Sequence, residues 1–290
     1  MARLLTVSST LRGQPALQSA TLRVGLGIVL FFVVLALVGP LLIHQNPTAF
    51  GTDQLQPPSW AHWLGTTQTG QDIFAQVALG TRATLLVGFA TGLLATTLSV
   101  VIGLTAGYFG GVVDEVLSLV INVFLVMPAL PLAIVLAGYV PVHGPLPVAL
   151  VISFTGWSWG ARVLRSQTLS LRSREFVQSA RASGERWYRI IFWEILPNEI
   201  AIVASGLVFT IIFAILTEIG LEFLGLSDVT LNSWGNMLYW AANNNALLLG
   251  AWWWFLPPGL CIALLGAGLA FINSGIDKLA NPRLRDARRA

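Results

Sequence analysis

The segment RSREFVQSARASGERWYRIIFWEILP, Arg172 to Pro197, is a basic, helix-patterned stretch set between two long apolar runs. It is longer than a turn requires, and connections of this length usually carry function. The small residues in Ser179-Ala180-Arg181-Ala182-Ser183-Gly184 would let another protein approach the backbone closely. The pattern predicts a short helix from Glu175 to Ala182. A second is predicted from Glu185 to Leu196, with Ser183 as N-cap and Glu185 in the favourable first turn. Pro197 then marks the start of the next apolar run. Periodicity alone supports two readings. The pair could lie on anionic lipid with Trp187, Tyr188, Phe192 and Trp193 among the headgroups, or it could offer a helix to a groove on a soluble partner.

Outward from this loop the composition places the chain in a bilayer. Hydrophobic side chains make up 55% of the 290 residues and charged ones 10%, against about 25% charged in soluble domains. A crossing needs about 20 apolar residues. Runs near 24–43, 83–113, 116–140, 146–161 with its flanks, 200–217 and 251–272 meet or approach that length, so six transmembrane helices are expected. The alternating pattern of a membrane barrel is absent, leaving an all-α integral membrane protein. The first run is too long for a signal-peptide core and reads as a retained span. The expected organisation is an N-terminal helix and external segment over 1–82, a five-helix core over 83–276 that includes the 162–197 loop, and a tail over 277–290.

Fifteen of the sixteen basic residues fall before the first run, between the fourth and fifth, or after the sixth; Arg82 is the exception. The positive-inside bias therefore puts both termini and the 162–197 loop in the cytoplasm. The net charge of +3 follows this topology and does not point to nucleic acid. Cys261 is the single cysteine, which excludes an internal disulfide or cysteine metal site. His44, His62 and His143 lack metal-ligand spacing. Lys278 is the only lysine and no G-x-x-x-x-G-K-[ST] occurs, so the chain cannot cradle nucleotide phosphates as an ATPase does.

Within the apolar runs, Gly88 with Gly92 and Gly103 with Gly107 have the small-xxx-small spacing of close helix packing, inside the chain or against another subunit. Pro128 and Pro131 should kink the third run. Glu218 and Glu222 are four apart and share one helix face. They either line a translocation path, with Glu222 favouring a cationic group on the cargo, or lie in the outer interface.

Glu175-Phe-Val-Gln-Ser-Ala-Arg-Ala-Ser-Gly184, nine residues, then Glu194-Ile-Leu-Pro-Asn198 resembles the EAA loop of binding-protein-dependent ABC importer permeases. Three other blocks narrow the resemblance to the oligopeptide and dipeptide group, the OppC/DppC-like subunits: His62-Trp-Leu-Gly-Thr66 with Gly70-Gln-Asp72 and Gly80-Thr-Arg82; Glu218 with Phe223-Leu-Gly-Leu226 and Ser233-Trp-Gly-Asn-Met237; and Trp254 with Pro258-Gly259 and Asn281-Pro-Arg-Leu-Arg285. The resemblance implies a type I ABC importer permease fold in a bacterial inner membrane. It implies four kinds of neighbour: a second homologous permease subunit, two ABC ATPase subunits that bind ATP and Mg, a substrate-binding protein and the lipid bilayer. It places Gln178, Ser179, Ala180, Arg181, Gly184, Leu196 and Pro197 at a coupling helix that meets the ATPase. The chain departs from the family where Gln178-Ser179-Ala180 replaces Glu-Ala-Ala, where Thr67, Gln71 and Gln76 stand for charged residues, and where Leu119 and Asn122 replace an Arg and Asp pair.

The resulting expectation is a non-enzymatic permease subunit of an ATP-driven importer. Its cargo would be a di- or oligopeptide, or another small solute such as a nickel chelate or glutathione. An ion-coupled secondary transporter would want charge at the midplane, and a membrane enzyme would want a nucleophile or paired acids at depth. For the first the sequence offers only the off-centre carboxylates Glu218 and Glu222, which leaves it the lesser alternative; for the second it offers no such constellation.

Overall fold

The computed structural model describes residues 20–43, 46–139 and 144–280. Arg3, Arg12, the tail 281–290, His44 and His143, all used in the sequence reading, lie outside the described residues. The described residues form helices joined by turns and loops, without strands; an isolated bridge pairs Thr66 with Asp72. In order the helices are α1 (Ala20–Leu42), α2 (Ile73–Phe109), α3 (Gly111–Val126), α4 (Ala129–Tyr139), α5 (Pro145–Gly156), α6 (Ser158–Leu171), α7 (Glu175–Ala182), α8 (Trp187–Arg189), α9 (Leu196–Phe223), α10 (Trp234–Asn243) and α11 (Trp252–Ala280). A π-helical segment, Ile190–Ile195, fuses α8 to α9.

By length and apolarity four stretches can cross a bilayer: Ala20–Leu41, Ile73–Phe109, Trp187–Phe223 and Trp252–Asp277. A fifth is counted only if α3 and α4, bent by 89°, form one broken span. The expected count of six is therefore not reproduced, and the first shortfall has a local cause. Met127 precedes Pro128, and a residue before proline is pushed out of the helical region. Met127 accordingly sits at φ −69°, ψ 127°, and α3 ends there. The fourth expected run is interrupted at Trp157, leaving α5 and α6 as separate pieces.

α2 is the hub, packed against α1, α3, α5, α6, α9, α10 and α11. Its glycines make this possible, since lipid supplies no hydrophobic force between helices and association depends on close contact. A Cβ at Gly88 or Gly92 would overlap Ile215 or Ile211 of α9, and one at Gly103 or Gly107 would overlap Ala161 or Thr168 of α6. The small-residue spacing thus serves packing within the chain. α1 lies on α11, with Gly25 against Gly268. The outward faces of Leu30, Phe31, Leu37 and Leu41 are exposed apolar surface suited to lipid.

Between α1 and α2 the chain folds into a compact segment. Thr66 Oγ1 donates to the Asp53 carbonyl (2.6 Å) and accepts from the Gln56 N–H (2.8 Å). His62 Nδ1 lies 2.8 Å from Asp72 Oδ2, while Asp72 Oδ1 accepts the Ala75 N–H and caps α2. The hydrogen bond to Asp72, joined by Asp53, raises the His62 pKa above its usual 6.5.

Candidate functional site

The loop between α6 and α9 is built on one apolar anchor. Val177 of α7 is fully buried among Leu104 and Tyr108 of α2, Leu164 of α6, and Ile190, Ile191 and Ile195 of the π-helical segment. α7 ends where Gly184 takes φ +78°, a left-handed value that favours glycine. There Glu185 N–H reaches the Ala180 carbonyl at 3.1 Å and Gly184 N–H the Arg181 carbonyl at 3.0 Å. Ser183 is the C-cap of α7 and donates its hydroxyl to the Ser179 carbonyl, 2.9 Å away, so it is not the N-cap expected from the sequence. Nor does a second helix stop at Leu196; α8, the π-helical segment and α9 run on continuously. Pro197 cannot donate to the carbonyl four residues back and its ring crowds that carbonyl. The wider register just before it, with Leu196 N–H bonded to Ile191 O, gives the chain room.

This construction divides the seven loop candidates. Gln178, Ser179, Arg181, Gly184 and Pro197 are exposed, whereas Ala180 and Leu196 turn inward onto the Val177 cluster. Nothing lies within 4 Å of a Cβ built at Gly184. Arg181 holds its guanidinium 4.6 Å from the Tyr108 ring centroid. The outcome is a fixed helix with an open polar face. At the neighbouring corner, Arg172 Nη1 donates to the Gly107 carbonyl (3.3 Å), occupying an acceptor at the C-terminus of α2.

Both helix breaks open on one region beside α9. A cavity of about 330 Å³ is lined by Pro128 at the first break, Gly156 and Ser158 at the second, and Phe209, Thr210 and Phe213 of α9. It shares Trp159, Gly160, Phe209 and Thr210 with a second cavity of about 320 Å³ that extends to Asn273 and Asp277 of α11. The lining mixes aromatic, aliphatic, hydroxyl and small residues, with Asp277 held by Ser205 Oγ at 2.8 Å. At the α10 end a third cavity of about 370 Å³ is bounded by Thr67, Gln71, Gln76, Asn232, Asn236 and Trp240 among others, none of them charged. Thr67, Gln71 and Gln76, singled out in the sequence as neutral, thus meet in one place. Gln76 Nε2 bonds Pro47 O (3.0 Å) and Gln71 Oε1 (2.9 Å), and Asn232 Nδ2 bonds Gln76 O (2.9 Å).

Glu218 and Glu222 are enclosed, at 2% and 4% exposure, and neither is among the residues lining these three cavities. Glu222 abuts the first turn of α10, where a Cβ at Gly235 would overlap Oε2. That turn carries the partial positive charge of a helix N-terminus. The Leu119/Asn122 replacement keeps a polar link: Asn122 Oδ1 accepts from Arg162 Nη2 at 2.7 Å. Beside it Asp114 takes a two-point grip from Arg165, through Nε and through Nη2 at 2.7 Å. Sequence reasoning missed Glu199. It is fully buried in the first turn of α9, where Thr168 Oγ1 donates to Oε1 at 2.9 Å. A carboxylate two residues after Pro197, with apolar sequence beyond, was the available signal.

Residues 99–286 match the sequence profile of the family described as binding-protein-dependent transport system inner membrane component. The chain is 30% identical over 268 residues to the oligopeptide transport system permease protein OppC of Bacillus subtilis (strain 168), covering 90% of this chain and 85% of that protein. It is 34% identical over 266 residues to the dipeptide transport system permease protein DppC of Alkalihalophilus pseudofirmus, covering 90% and 86%. A chain of the MetNI methionine ABC transporter, solved in inward-facing conformations, superposes with a TM-score of 0.49 at 15% identity, covering 67% of this chain and 96% of that one.

Proposed function

Since the chain belongs to the family of binding-protein-dependent transport system inner membrane components, we propose that it is one of two permease subunits in an ATP-driven peptide importer. In this reading it forms half of a path for di- or oligopeptides. A second permease, two ATPases carrying ATP and Mg, and a substrate-binding protein complete the assembly. Both termini and the α6–α9 loop face the ATPases.

The observation that carries the reading is the exposed face of α7, with Gln178, Ser179, Arg181 and Gly184 presented from a helix anchored by fully buried Val177. A lever must be stiff at its root and free at its tip, and α7 is both. Closure of the ATPases on ATP would push α7 and, through the continuous α8 to α9 helix, shift Phe209, Thr210 and Phe213 at the central cavity. Peptide would then pass along the cavity where the two helix breaks meet, with backbone groups freed by those breaks facing a protein-lined space where they can be satisfied. Buried Glu222 serves the packing of α9 against α10 in this scheme.

Single cysteines at Gln178 or Gly184, in a Cys261→Ser background, test it in the assembled complex. Crosslinking should capture a nucleotide-hydrolysing subunit, and ATP-dependent uptake of a pool of labelled di- to pentapeptides should require that subunit's nucleotide site. Capture of no such subunit, or uptake that persists with the site disabled, overturns the proposal.

A further inference from the structure

The two arms of the α6–α9 loop are joined inside the protein by Thr168 and Glu199, 31 residues apart in sequence and both at 0% exposure. Thr168 Oγ1 donates to Glu199 Oε1 at 2.9 Å, and Glu199 Oε2 has no hydrogen-bond partner. Thr168 is wedged from the other side: a Cβ on Gly107 of α2 would come within 2.6 Å of its Cβ. Its hydroxyl therefore has little freedom to turn elsewhere.

For stability alone this is a poor choice of residues. A buried carboxyl with an unpartnered oxygen carries a desolvation cost, and well-packed apolar replacements of such pairs are often neutral or stabilising. What a hydrogen bond adds over an apolar contact is direction and register. Register is what this place lacks, because the π-helical segment Ile190–Ile195 lies immediately before α9 and such segments concentrate where a helix adjusts. The apolar cluster around Val177 holds α7 by contact that has no preferred direction, whereas a hydrogen bond is directed and fixes which residue of α9 faces Thr168.

We infer that Thr168 and Glu199 are positioning residues, locking α9 to α6 one turn beyond the π-helical segment so that displacement of α7 is handed to α9 and not absorbed by re-registering of Ile190–Ile195. The inference rests on the coupling role proposed for α7. It concerns no group that touches cargo or nucleotide.

The test uses the assembled importer in lipid nanodiscs with Cys261→Ser and Thr210→Cys, the latter lining both central cavities. A small methanethiosulfonate reports the change in labelling rate at position 210 between nucleotide-free and vanadate-trapped complexes, normalised to trapped nucleotide. Thr168→Val should shrink that change about tenfold, the order of effect expected when a buried polar group loses its partner. Glu199→Gln keeps an acceptor and should retain it within about twofold. Thr168→Val combined with Glu199→Leu should be no worse than Thr168→Val alone. If Thr168→Val fails to assemble, Thr168→Ser against Thr168→Ala makes the same comparison. A full response in Thr168→Val, or in Thr168→Ala, overturns the inference while leaving the coupling role intact. Absence of any response in the unmutated complex brings down the coupling role itself, and the inference with it.

Discussion

Arg181 stands with its guanidinium 4.6 Å from the centroid of the Tyr108 ring, fastening the small-residue helix α7 to the end of α2. Tyr108 in turn packs with Val177, so one aromatic ring meets an apolar anchor and a cation. Exposed cation–π pairs contribute about 0.5–1 kcal/mol. Arg181→Ala should cost about that much, and Arg181→Lys should recover part of it. Proteolytic protection of the loop in the purified protein, followed over a denaturant series, measures the difference.

The His62–Asp72 contact makes the segment before α2 sensitive to pH. Asp72 first, and Asp53 second, raise the His62 pKa above 6.5 by hydrogen bonding and charge. A group with a raised folded value gives its full stabilisation below the unfolded value, about 6.5, and loses it as pH rises through the folded one. Melting temperature should therefore fall as pH rises above about 6.5 in the unmutated protein. His62→Gln should flatten that fall, and an equal slope in both would refute the assignment.

Asp72 also caps α2 through the Ala75 N–H at 2.9 Å. Replacing such a cap by alanine costs about 1 kcal/mol. Asp72→Ala should cost that together with the His62 contribution, whereas Asp72→Asn should keep most of the cap. Thermal unfolding of the three proteins at pH 6 and pH 8 separates the two effects.

Gly107→Ala should be among the most disruptive single methyl additions in the chain, because the new Cβ would meet Thr168 Cβ at 2.6 Å and Arg165 O at 2.8 Å. Overpacking of this kind costs about 1–3 kcal/mol. Gly27→Ala, with nothing within 4 Å, is the control. Melting temperatures in detergent should drop for the first and hold for the second.

Asp114 and Arg165 are held by two parallel hydrogen bonds between α3 and α6, with side chains 16% and 28% exposed. Asp114→Asn leaves a partly buried guanidinium without its counter-charge and should destabilise by about 1–3 kcal/mol. The double replacement Asp114→Asn with Arg165→Gln should recover part of that loss in a double-mutant cycle.

Much of this architecture was legible from residues that act locally. Pro128 broke the third run because its effect on Met127 is steric and needs no neighbour, yet the 89° of the bend depends on what α4 packs against. The start of α2 was read ten residues late, since Gln76, Thr81 and Arg82 interrupt the apolar pattern. Gln76 is nevertheless buried, its amide answered by Pro47 O and Gln71, and only the folded segment shows that. Ser183 was assigned to the wrong helix end because its hydroxyl can serve either; the left-handed turn at Gly184 decides the matter. The loop itself was found from charge and small residues. Glu199 was not, because its meaning comes from Thr168, and apolar periodicity cannot say which residue of α6 will face it.

α2 runs 37 residues in α-helical register without a π-helical or bent interruption, rising about 55 Å at 1.5 Å per residue, nearly twice the roughly 30 Å of hydrocarbon. Its capped start touches the folded segment that holds His62, and its last turn lies under Arg181 and Arg172. A helix of that length would need no relay, because the backbone from Asp72 to Tyr108 crosses no loop. In the proposed importer the two faces of the membrane would thereby be joined through one rigid part.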